Sequence, residues 1–311
     1  MLPWGRQAMA ASRALCGFLN VDKPAGLTSH DVVHRVRRRS GVRRVGHTGT
    51  LDPFATGVLV VCLGQATRLA EFLADAEKEY VAVVALGRST DTYDRTGEVV
   101  SEGDASSVSQ GEVEAALMRF RGLIWQTPPA FSALKRGGVP AYRLARAGQA
   151  VQLEPRPVEI RTLTLTAWQP PQVILQLTCS AGTYVRSLAH DLGQVLGCGA
   201  HLAELTRLRS GRFALTEAIP LQTLLEAEPW PAWQPWLHPL TAAVPELPAV
   251  RLEPAEVQRL VQGQAVPRQG GEGGPTAELV QVLGPDGALA ALARPDDTGD
   301  NWLPHKVFAG S

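Results

Sequence analysis

Cysteines are few in this sequence of 311 residues, and no two of them stand close together. The four are Cys16, Cys62, Cys179 and Cys198, and they form no CxxC pair. Disulfide frameworks belong mainly to small secreted proteins, and structural zinc sites usually take their cysteine ligands in close pairs. The pattern argues against both, so we expect a reduced, cytoplasmic protein without a bound metal.

Long apolar runs are also absent from the sequence. No segment approaches the roughly 20 apolar residues that a membrane-spanning helix needs. Residues 1–14 contain no continuous apolar stretch of signal-peptide length, and we interpret them as a short disordered extension. We therefore expect no association with a membrane.

The net charge is zero, but the charges are unevenly distributed. Residues 1–60 hold nine basic and three acidic residues, whereas residues 213–311 hold five and twelve. A polyanion would therefore be attracted to the N-terminal part and repelled, on average, by the C-terminal part.

Strand-like and helix-like segments are interspersed without a regular βαβ period. This favours an α+β fold with a mixed, largely antiparallel sheet over a doubly wound fold, and we place a first domain at 15–228. Residues 229–248 contain six prolines and three tryptophans, so we predict a junction at 229–246. Short strand-like runs between glycines then predict a small β-barrel at 247–311.

Glycine and polar residues crowd into the segment 46–57, GHTGTLDPFATG. Three glycines and a proline exclude regular structure and let a ligand approach the backbone closely. Polar loop residues between apolar elements are good candidates for chemistry. Spacing alone leaves two interpretations of Asp52 open, since it either caps the following turn or acts as a functional carboxylate.

Six sequence blocks resemble successive motifs of the TruB family, in the order in which the family has them. They span most of residues 16–212. The blocks are VDKPAGLTS (21–29), GHTGTLDPFATGVLVVCLG (46–64), KEY (78–80), LGRSTDTYDRTGEV (86–99), PPAFSALKRGGVPAYRLAR (128–146) and GTYVRSLAHDLG (182–193).

This resemblance implies a tRNA pseudouridine-55 synthase with a pseudouridine-synthase fold and Asp52 as its catalytic nucleophile. Such an enzyme detaches uracil from ribose C1′, turns the ring and reattaches it through C5. Because the reaction is an isomerisation, it implies no cofactor and no metal. The substrate would be the TΨC stem-loop of tRNA, with no obligate protein partner, and an additional role in tRNA folding is compatible with the family.

The resemblance also implies roles for residues around Asp52. Arg186 stands where the family pairs an arginine with the catalytic aspartate, and Tyr80 where it stacks a tyrosine on the target base. His47 matches the histidine that helps to extrude the uridine. The remaining matches are Tyr184 and Leu205 in the uracil pocket, Lys23 as a candidate substrate contact or structural residue, and Asp94 in a structural or peripheral position.

Basic residues identify expected RNA contacts. The stretch RVRRRSGVRR (35–44) has six arginines and leads directly into the Asp52 loop, so Arg43 and Arg44 are expected to meet phosphates. Residues 127–150 resemble the family's thumb insertion, in which Lys135 is a candidate contact. The segment 247–311 resembles a PUA-type RNA-binding module, although its surroundings are acidic.

Three other functions compete with this interpretation. One is a guide-RNA-dependent pseudouridine synthase acting on ribosomal RNA, and another is a non-catalytic RNA-binding or chaperone module. A glycoside hydrolase would usually need two facing carboxylates, whereas the Asp52 block supplies one. His30 and His34 have the i, i+4 spacing of zinc ligands, but HDVVH lacks the glutamate of HExxH, and we interpret both as solvated.

Overall fold

The computed structural model describes residues 15–308, apart from 133, 137, 148, 150–152 and 269–277. The predicted N-terminal extension at 1–14 lies outside the described residues. No helix in the described part of the chain is long and apolar enough to cross a membrane.

The described helices are short. The α-helices are α1 Ser29–Ser40, α2 Ala70–Ala74, α3 Gln110–Leu117, α4 Ala141–Arg146, α5 Val185–Leu196, α6 Leu221–Glu226 and α7 Pro254–Val261. The 3₁₀ helices are Gly64–Leu69, Met118–Phe120, Leu215–Glu217, Gln234–Trp236 and Leu240–Ala243. The segment 64–74 is helical throughout, first as the 3₁₀ helix Gly64–Leu69 and then as the single turn of α2.

Twenty strands are present among the described residues. They are β1 Gly17–Lys23, β2 Val45–His47, β3 Thr56–Leu63, β4 Lys78–Leu86, β5 Arg88–Thr90, β6 Val99–Glu102, β7 Gly122–Gln126, β8 Lys135–Arg136, β9 Val139–Pro140, β10 Arg156–Gln169, β11 Gln172–Cys179, β12 Ala200–Ser210, β13 Phe213–Ala214, β14 Ile219–Pro220, β15 Leu237–His238, β16 Ala249–Arg251, β17 Val266–Pro267, β18 Val280–Leu283, β19 Leu289–Pro295 and β20 Asn301–Val307.

A large mixed sheet forms the centre of the molecule, which confirms the predicted α+β class. Its strand order is β14-β1-β3-β12-β4-β11-β10-β7, with β2, β13 and β15 attached at its side. Most neighbours are antiparallel, whereas β1 with β14 and β3 with β12 are parallel. The parallel pairing of β3 with β12 brings the end of the loop that carries Asp52, residues 48–55, beside Thr206 and Arg207.

Local sequence explains the two helices that border the Asp52 loop. Thr28 caps α1 by accepting a hydrogen bond from the Asp31 N–H, and Gly41 ends α1 with φ of 69°. Gly197 ends α5 in the same left-handed conformation. Helix α5 packs on the sheet through Leu188, Ala189 and Leu192, and this fixes the position of Arg186 in its first turn.

The C-terminal segment folds into a second sheet with the order β16-β18-β19-β20-β17. Its end strands β16 and β17 do not pair with each other among the described residues, so the predicted small barrel is a half-barrel. Part of its apolar surface joins a cluster with the large sheet, in which Phe18, Val58 and Val60 meet Leu289, Leu292 and Phe308.

The proline- and tryptophan-rich segment 229–246 contributes several buried residues to the core. Trp233 is fully buried, and its indole N–H donates to the Leu224 carbonyl at 3.0 Å. Strand β15 pairs with β1 through Leu237 and His238. The segment connects the two sheets and adds β15 to the large one.

Candidate active site

The Asp52 loop, residues 48–55, connects β2 to β3 and is held by hydrogen bonds at both ends. The Thr48 N–H donates to Val60 O at 3.1 Å, and the Gly26 N–H donates to Pro53 O at 2.8 Å. The Ser29 hydroxyl accepts from the Leu51 N–H at 2.8 Å. The turn is closed by the Ala55 N–H bonding to the backbone carbonyl of Asp52 at 3.1 Å. Since the backbone carbonyl of Asp52 performs this closure, its carboxylate is left for another partner.

That partner is Arg186, whose Nε lies 3.0 Å from Asp52 Oδ2. The Arg186 side chain is 7% exposed, whereas that of Asp52 is 28% exposed. Burial raises the pKa of Asp52 above its ordinary value, and the adjacent guanidinium of Arg186 partly opposes this shift. The pair therefore has a buried cation and a carboxylate that solvent or a ligand can reach.

The rest of the Arg186 guanidinium is bound by two other segments. Its Nη1 lies 3.4 Å from Asp94 Oδ2 and donates to Thr92 O at 3.2 Å, and its Nη2 donates to Phe131 O at 3.1 Å. Asp94 is 5% exposed at its side chain, and its other oxygen accepts from Thr92 and Thr96. Asp94 is thus a buried support of Arg186 and does not face Asp52 across a cleft as the second carboxylate of a glycosidase would.

Arg207 is a second buried arginine, which the sequence analysis missed. Its Nε donates to Val58 O at 2.6 Å, its Nη2 to Gly49 O at 3.1 Å and its Nη1 to Thr50 O at 3.4 Å. Gly57 has φ of 98°, and a Cβ there would lie 2.3 Å from Arg207 O, so glycine is required where the loop enters β3. The alternation along β12, in which Leu205 and Arg207 share the inward face, is the signal that could have identified Arg207.

Tyr80 and Leu205 lie beside this arginine on adjacent strands. Tyr80 of β4 is opposite Arg207 of β12, and Leu205 is opposite Ala82. Burial raises the pKa of the Tyr80 hydroxyl, and the positive charge and hydrogen bond of Arg207 partly oppose this shift. A neutral aromatic side chain and an apolar side chain therefore share the face of the sheet that carries the Asp52 loop.

Lys23 supports the loop from inside the protein. It is fully buried, and its ammonium donates to Leu27 O at 2.7 Å, to Pro24 O at 2.9 Å and to Pro53 O at 3.4 Å. Burial lowers the pKa of Lys23 to about 8. This geometry favours a supporting role for Lys23 over the direct substrate contact predicted for it.

His47 and Tyr184 lie at the ends of the elements that lead into the site. His47 is half-buried at the end of β2, and burial lowers the pKa of its imidazole. Tyr184 precedes α5, where its N–H donates to Gln126 Oε1 at 2.7 Å and its carbonyl accepts from Gln126 Nε2 at 3.0 Å. Gln126, also missed by the sequence analysis, therefore ties β7 to the start of the helix that carries Arg186.

Two of the basic residues predicted to contact RNA precede β2, whose other end leads into the Asp52 loop. Arg43 and Arg44 are both exposed between α1 and β2. The side chain of Lys135 falls outside the described residues. His30 and His34 are exposed on α1, and within the described ranges no three His, Cys, Asp or Glu side chains come together as a metal site.

The site can therefore present one reactive carboxylate, oriented by a fixed guanidinium and near the ring of Tyr80. A carboxylate of this kind can act as a nucleophile or stabilise a developing positive charge. Hydrogen bonds to backbone carbonyls hold both arginines, so the site is assembled before a ligand arrives.

Two family models match successive parts of the chain. The TruB family pseudouridylate synthase N-terminal domain matches residues 37–185, and the tRNA pseudouridylate synthase B C-terminal domain matches residues 186–244. Together they include the Asp52 loop, Arg186 and Arg207. The half-barrel that begins at β16 lies beyond both matches.

Two curated proteins with similar sequences carry the same name. The tRNA pseudouridine synthase B of Gloeobacter violaceus is 49% identical over 255 residues, which cover 81% of this chain and 86% of that protein. The tRNA pseudouridine synthase B of Pseudomonas aeruginosa is 44% identical over 263 residues, which cover 84% of this chain and 86% of that protein.

Solved structures show the same fold. A chain of an H/ACA RNP bound to a substrate RNA containing 2′-deoxyuridine is 26% identical, with a TM-score of 0.69 over 96% of this chain and 86% of that chain. A chain of a Cbf5-Nop10-Gar1 complex is 29% identical, with the same TM-score and coverage.

Proposed function

Because this chain belongs to the TruB family of pseudouridine synthases, we propose that it isomerises uridine 55 in the TΨC loop of tRNA, with Asp52 as the catalytic carboxylate. The observation that carries the residue assignment is the ion pair between a reachable Asp52 and a buried Arg186. The substrate follows from the names of the relatives, which are tRNA pseudouridine synthases B.

The reaction needs a group that stabilises the state in which the uracil–ribose bond is broken, until the new bond to the ring has formed. The N1–C1′ bond breaks, the ring turns, a C5–C1′ bond forms, and the proton on C5 is lost as N1 gains one. Attack by Asp52 at ribose C1′ or at uracil C6 would each serve this course, and both require an ionised carboxylate. Arg186 favours that ionised form and fixes its direction.

The neighbouring side chains fit a base that has been taken out of its stack. Tyr80 offers a ring for the extruded uracil, and Leu205 and Tyr184 would line the same pocket. His47, at the end of β2, would occupy the place that the base leaves. These roles rest on the family resemblance together with the positions of the four residues around the Asp52 loop.

The RNA itself would be held mainly through its phosphates. Arg43 and Arg44 are exposed between α1 and β2 and would meet phosphates. Residues 127–150 would close over the TΨC arm, with Lys135 as a contact. We expect the log of the tRNA association constant to fall linearly with the log of salt concentration. Replacing Arg43 and Arg44 with alanine should make the slope shallower, and an unchanged slope would contradict their role.

The enzyme would work alone on cytoplasmic tRNA, without an obligate protein partner. The half-barrel would be a PUA-like unit at the rim of the RNA surface. Because chains from H/ACA complexes share the fold, a guide-RNA-dependent reaction on ribosomal RNA is the alternative to be tested.

The deciding experiment uses tRNA that carries tritium at uridine C5, because that position loses its hydrogen when it becomes the glycosidic carbon. We expect tritium release from wild-type tRNA and from an isolated TΨC stem-loop, without any guide RNA. A tRNA with cytidine at position 55 is the matched control and should release none. Release that persists with this control, or that requires an added guide RNA, would refute the assignment.

A further inference from the structure

The turn at residues 91–97 has an unusual backbone conformation at Tyr93. Tyr93 has φ of 64°, and it is the only non-glycine residue with positive φ among those described. Side chains other than glycine rarely adopt this conformation, and where they do the surrounding structure must hold it. Its neighbours on either side, Thr92 and Asp94, both bind Arg186.

The Tyr93 ring lies flat against the imidazole of His190 on α5. The two ring centroids are 3.9 Å apart, and the planes differ by 13°. His190 follows Arg186 by four residues, so the two side chains project from the same face of the helix, one turn apart. The stack therefore lies one helical turn from the guanidinium.

Backbone hydrogen bonds anchor the turn on its other side. The Leu202 N–H donates to Tyr93 O at 2.9 Å, and the Arg95 N–H donates to Leu202 O at 3.0 Å. These bonds attach the turn to β12, but they do not set its distance from α5. Only the contacts to Arg186 and the ring stack connect residues 92–94 to that helix among the described hydrogen bonds, ion pairs and ring contacts.

We propose that Tyr93 and His190 are positioning residues, whose stacked rings press the 92–94 segment onto α5 so that Arg186 is held with its Nε directed at Asp52. This inference rests on the proposed function, in which Asp52 and Arg186 are the catalytic pair. Neither ring needs to touch the substrate for this role.

Both rings are suited to stacking as neutral groups. Burial lowers the pKa of His190, and burial together with the nearby Asp191 raises the pKa of Tyr93. An aromatic replacement should therefore preserve the contact, whereas removal of either ring should not.

The test compares Tyr93→Gly and His190→Ala with Tyr93→Phe and His190→Phe. Glycine tolerates the positive φ, so Tyr93→Gly removes the ring without adding backbone strain. We expect the two ring-deleting variants to lower kcat by about tenfold, which is the change in rate expected if the stabilisation from one aromatic pair is lost. The KM for tRNA should stay unchanged. The two phenylalanine variants should stay near the wild-type kcat.

Two further measurements separate positioning from a general loss of structure. A less well-placed Arg186 would lower the pKa of Asp52 less, so the acid limb of the kcat profile should move to higher pH in the ring-deleting variants. The ¹⁵N NMR signal of the Arg186 Nε–H, identified by its absence in Arg186→Lys, reports the contact directly and should broaden or shift in them.

The outcomes also distinguish this inference from the proposed function. If the Arg186 signal and the acid limb stay unchanged in Tyr93→Gly and His190→Ala, the positioning role is wrong, even if thermal stability falls. If the signal changes while kcat does not, the stack positions Arg186 but the catalytic role of the pair fails. If the phenylalanine variants lose as much kcat as the ring deletions, the stack is not the relevant contact.

Discussion

The Asp52 loop and the C-terminal half-barrel are stabilised in opposite ways. Three buried cations surround the loop, and Lys23, Arg186 and Arg207 all donate to backbone carbonyls. The half-barrel instead has an apolar core, in which Leu260, Val266, Val280 and Trp302 pack together. Hydrogen bonds fix the directions of side chains, whereas apolar burial contributes mainly to the free energy of unfolding. We therefore expect substitutions around the loop to lower turnover more than stability, and substitutions in the half-barrel to lower stability more than turnover.

The largest effect on turnover is expected from Asp52→Asn. The amide keeps the shape of the side chain but cannot act as an anionic nucleophile, so tritium release should fall below detection. Binding of tRNA, measured by filter retention, should persist because the phosphate contacts remain. Full turnover by this variant would remove Asp52 from the mechanism.

Arg186→Lys should have the next largest effect. A lysine keeps the charge but cannot reach Asp52, Asp94 and two carbonyls at once, and we expect kcat to fall by roughly 10²- to 10³-fold, as for the loss of a preorganised donor. Arg209→Lys, at a more exposed arginine paired with Glu77 and Glu79, is the matched control and should retain activity. Equal losses in kcat and tRNA affinity would contradict the pairing role.

Arg207→Lys should reduce both turnover and stability. The loop carbonyls of Gly49 and Thr50 would lose their donors, and a displaced Asp52 is expected to cost about 10- to 100-fold in kcat. Loss of the donor to the buried Val58 carbonyl should also lower the free energy of unfolding by about 1–3 kcal/mol. Single-turnover rates and urea denaturation measure the two effects, and a loss of stability alone would show that Arg207 does not direct the loop.

Leu260→Ala should leave turnover unchanged and lower stability. Leu260 is fully buried in the half-barrel, and its truncation is expected to cost about 2–5 kcal/mol through the cavity that it leaves. The exposed Val100 provides the control, since Val100→Ala should change the unfolding free energy by less than about 0.5 kcal/mol. If kcat of Leu260→Ala is lowered at temperatures below its melting transition, the half-barrel and the Asp52 loop are coupled.

Elements with local signals could be predicted from the sequence. Thr28 and Gly41 mark the ends of α1 because a side-chain cap and a left-handed glycine act over a few residues. The hairpin of β10 and β11 follows from apolar strands around Pro170 and Pro171 for the same reason. The pairing of β3 with β12 joins residues 150 positions apart, and no local pattern contains it.

The residues of the site likewise differ in whether a local sequence signal could predict them. Asp52 could be identified in its glycine-rich loop, but its pairing with Arg186 was expected from the family resemblance and not from spacing. Arg207 and Gln126 were missed, because each acts on backbone groups far away in the sequence. The burial of Trp233 was likewise hidden, since proline-rich composition indicates a connection but not what the connection packs against.

The apolar cluster shared by Phe18, Val58 and Val60 with the half-barrel has a practical consequence. Arg68 lies over the Phe308 ring at 5.3 Å and Lys306 donates to Arg68 O at 2.9 Å, so the contact is closed at its rim by polar groups. A shortened chain that stops before β16 would expose the apolar surface of the large sheet around Phe18, Val58 and Val60. We expect such a chain to self-associate. By covering this apolar surface, the half-barrel is expected to keep the protein soluble.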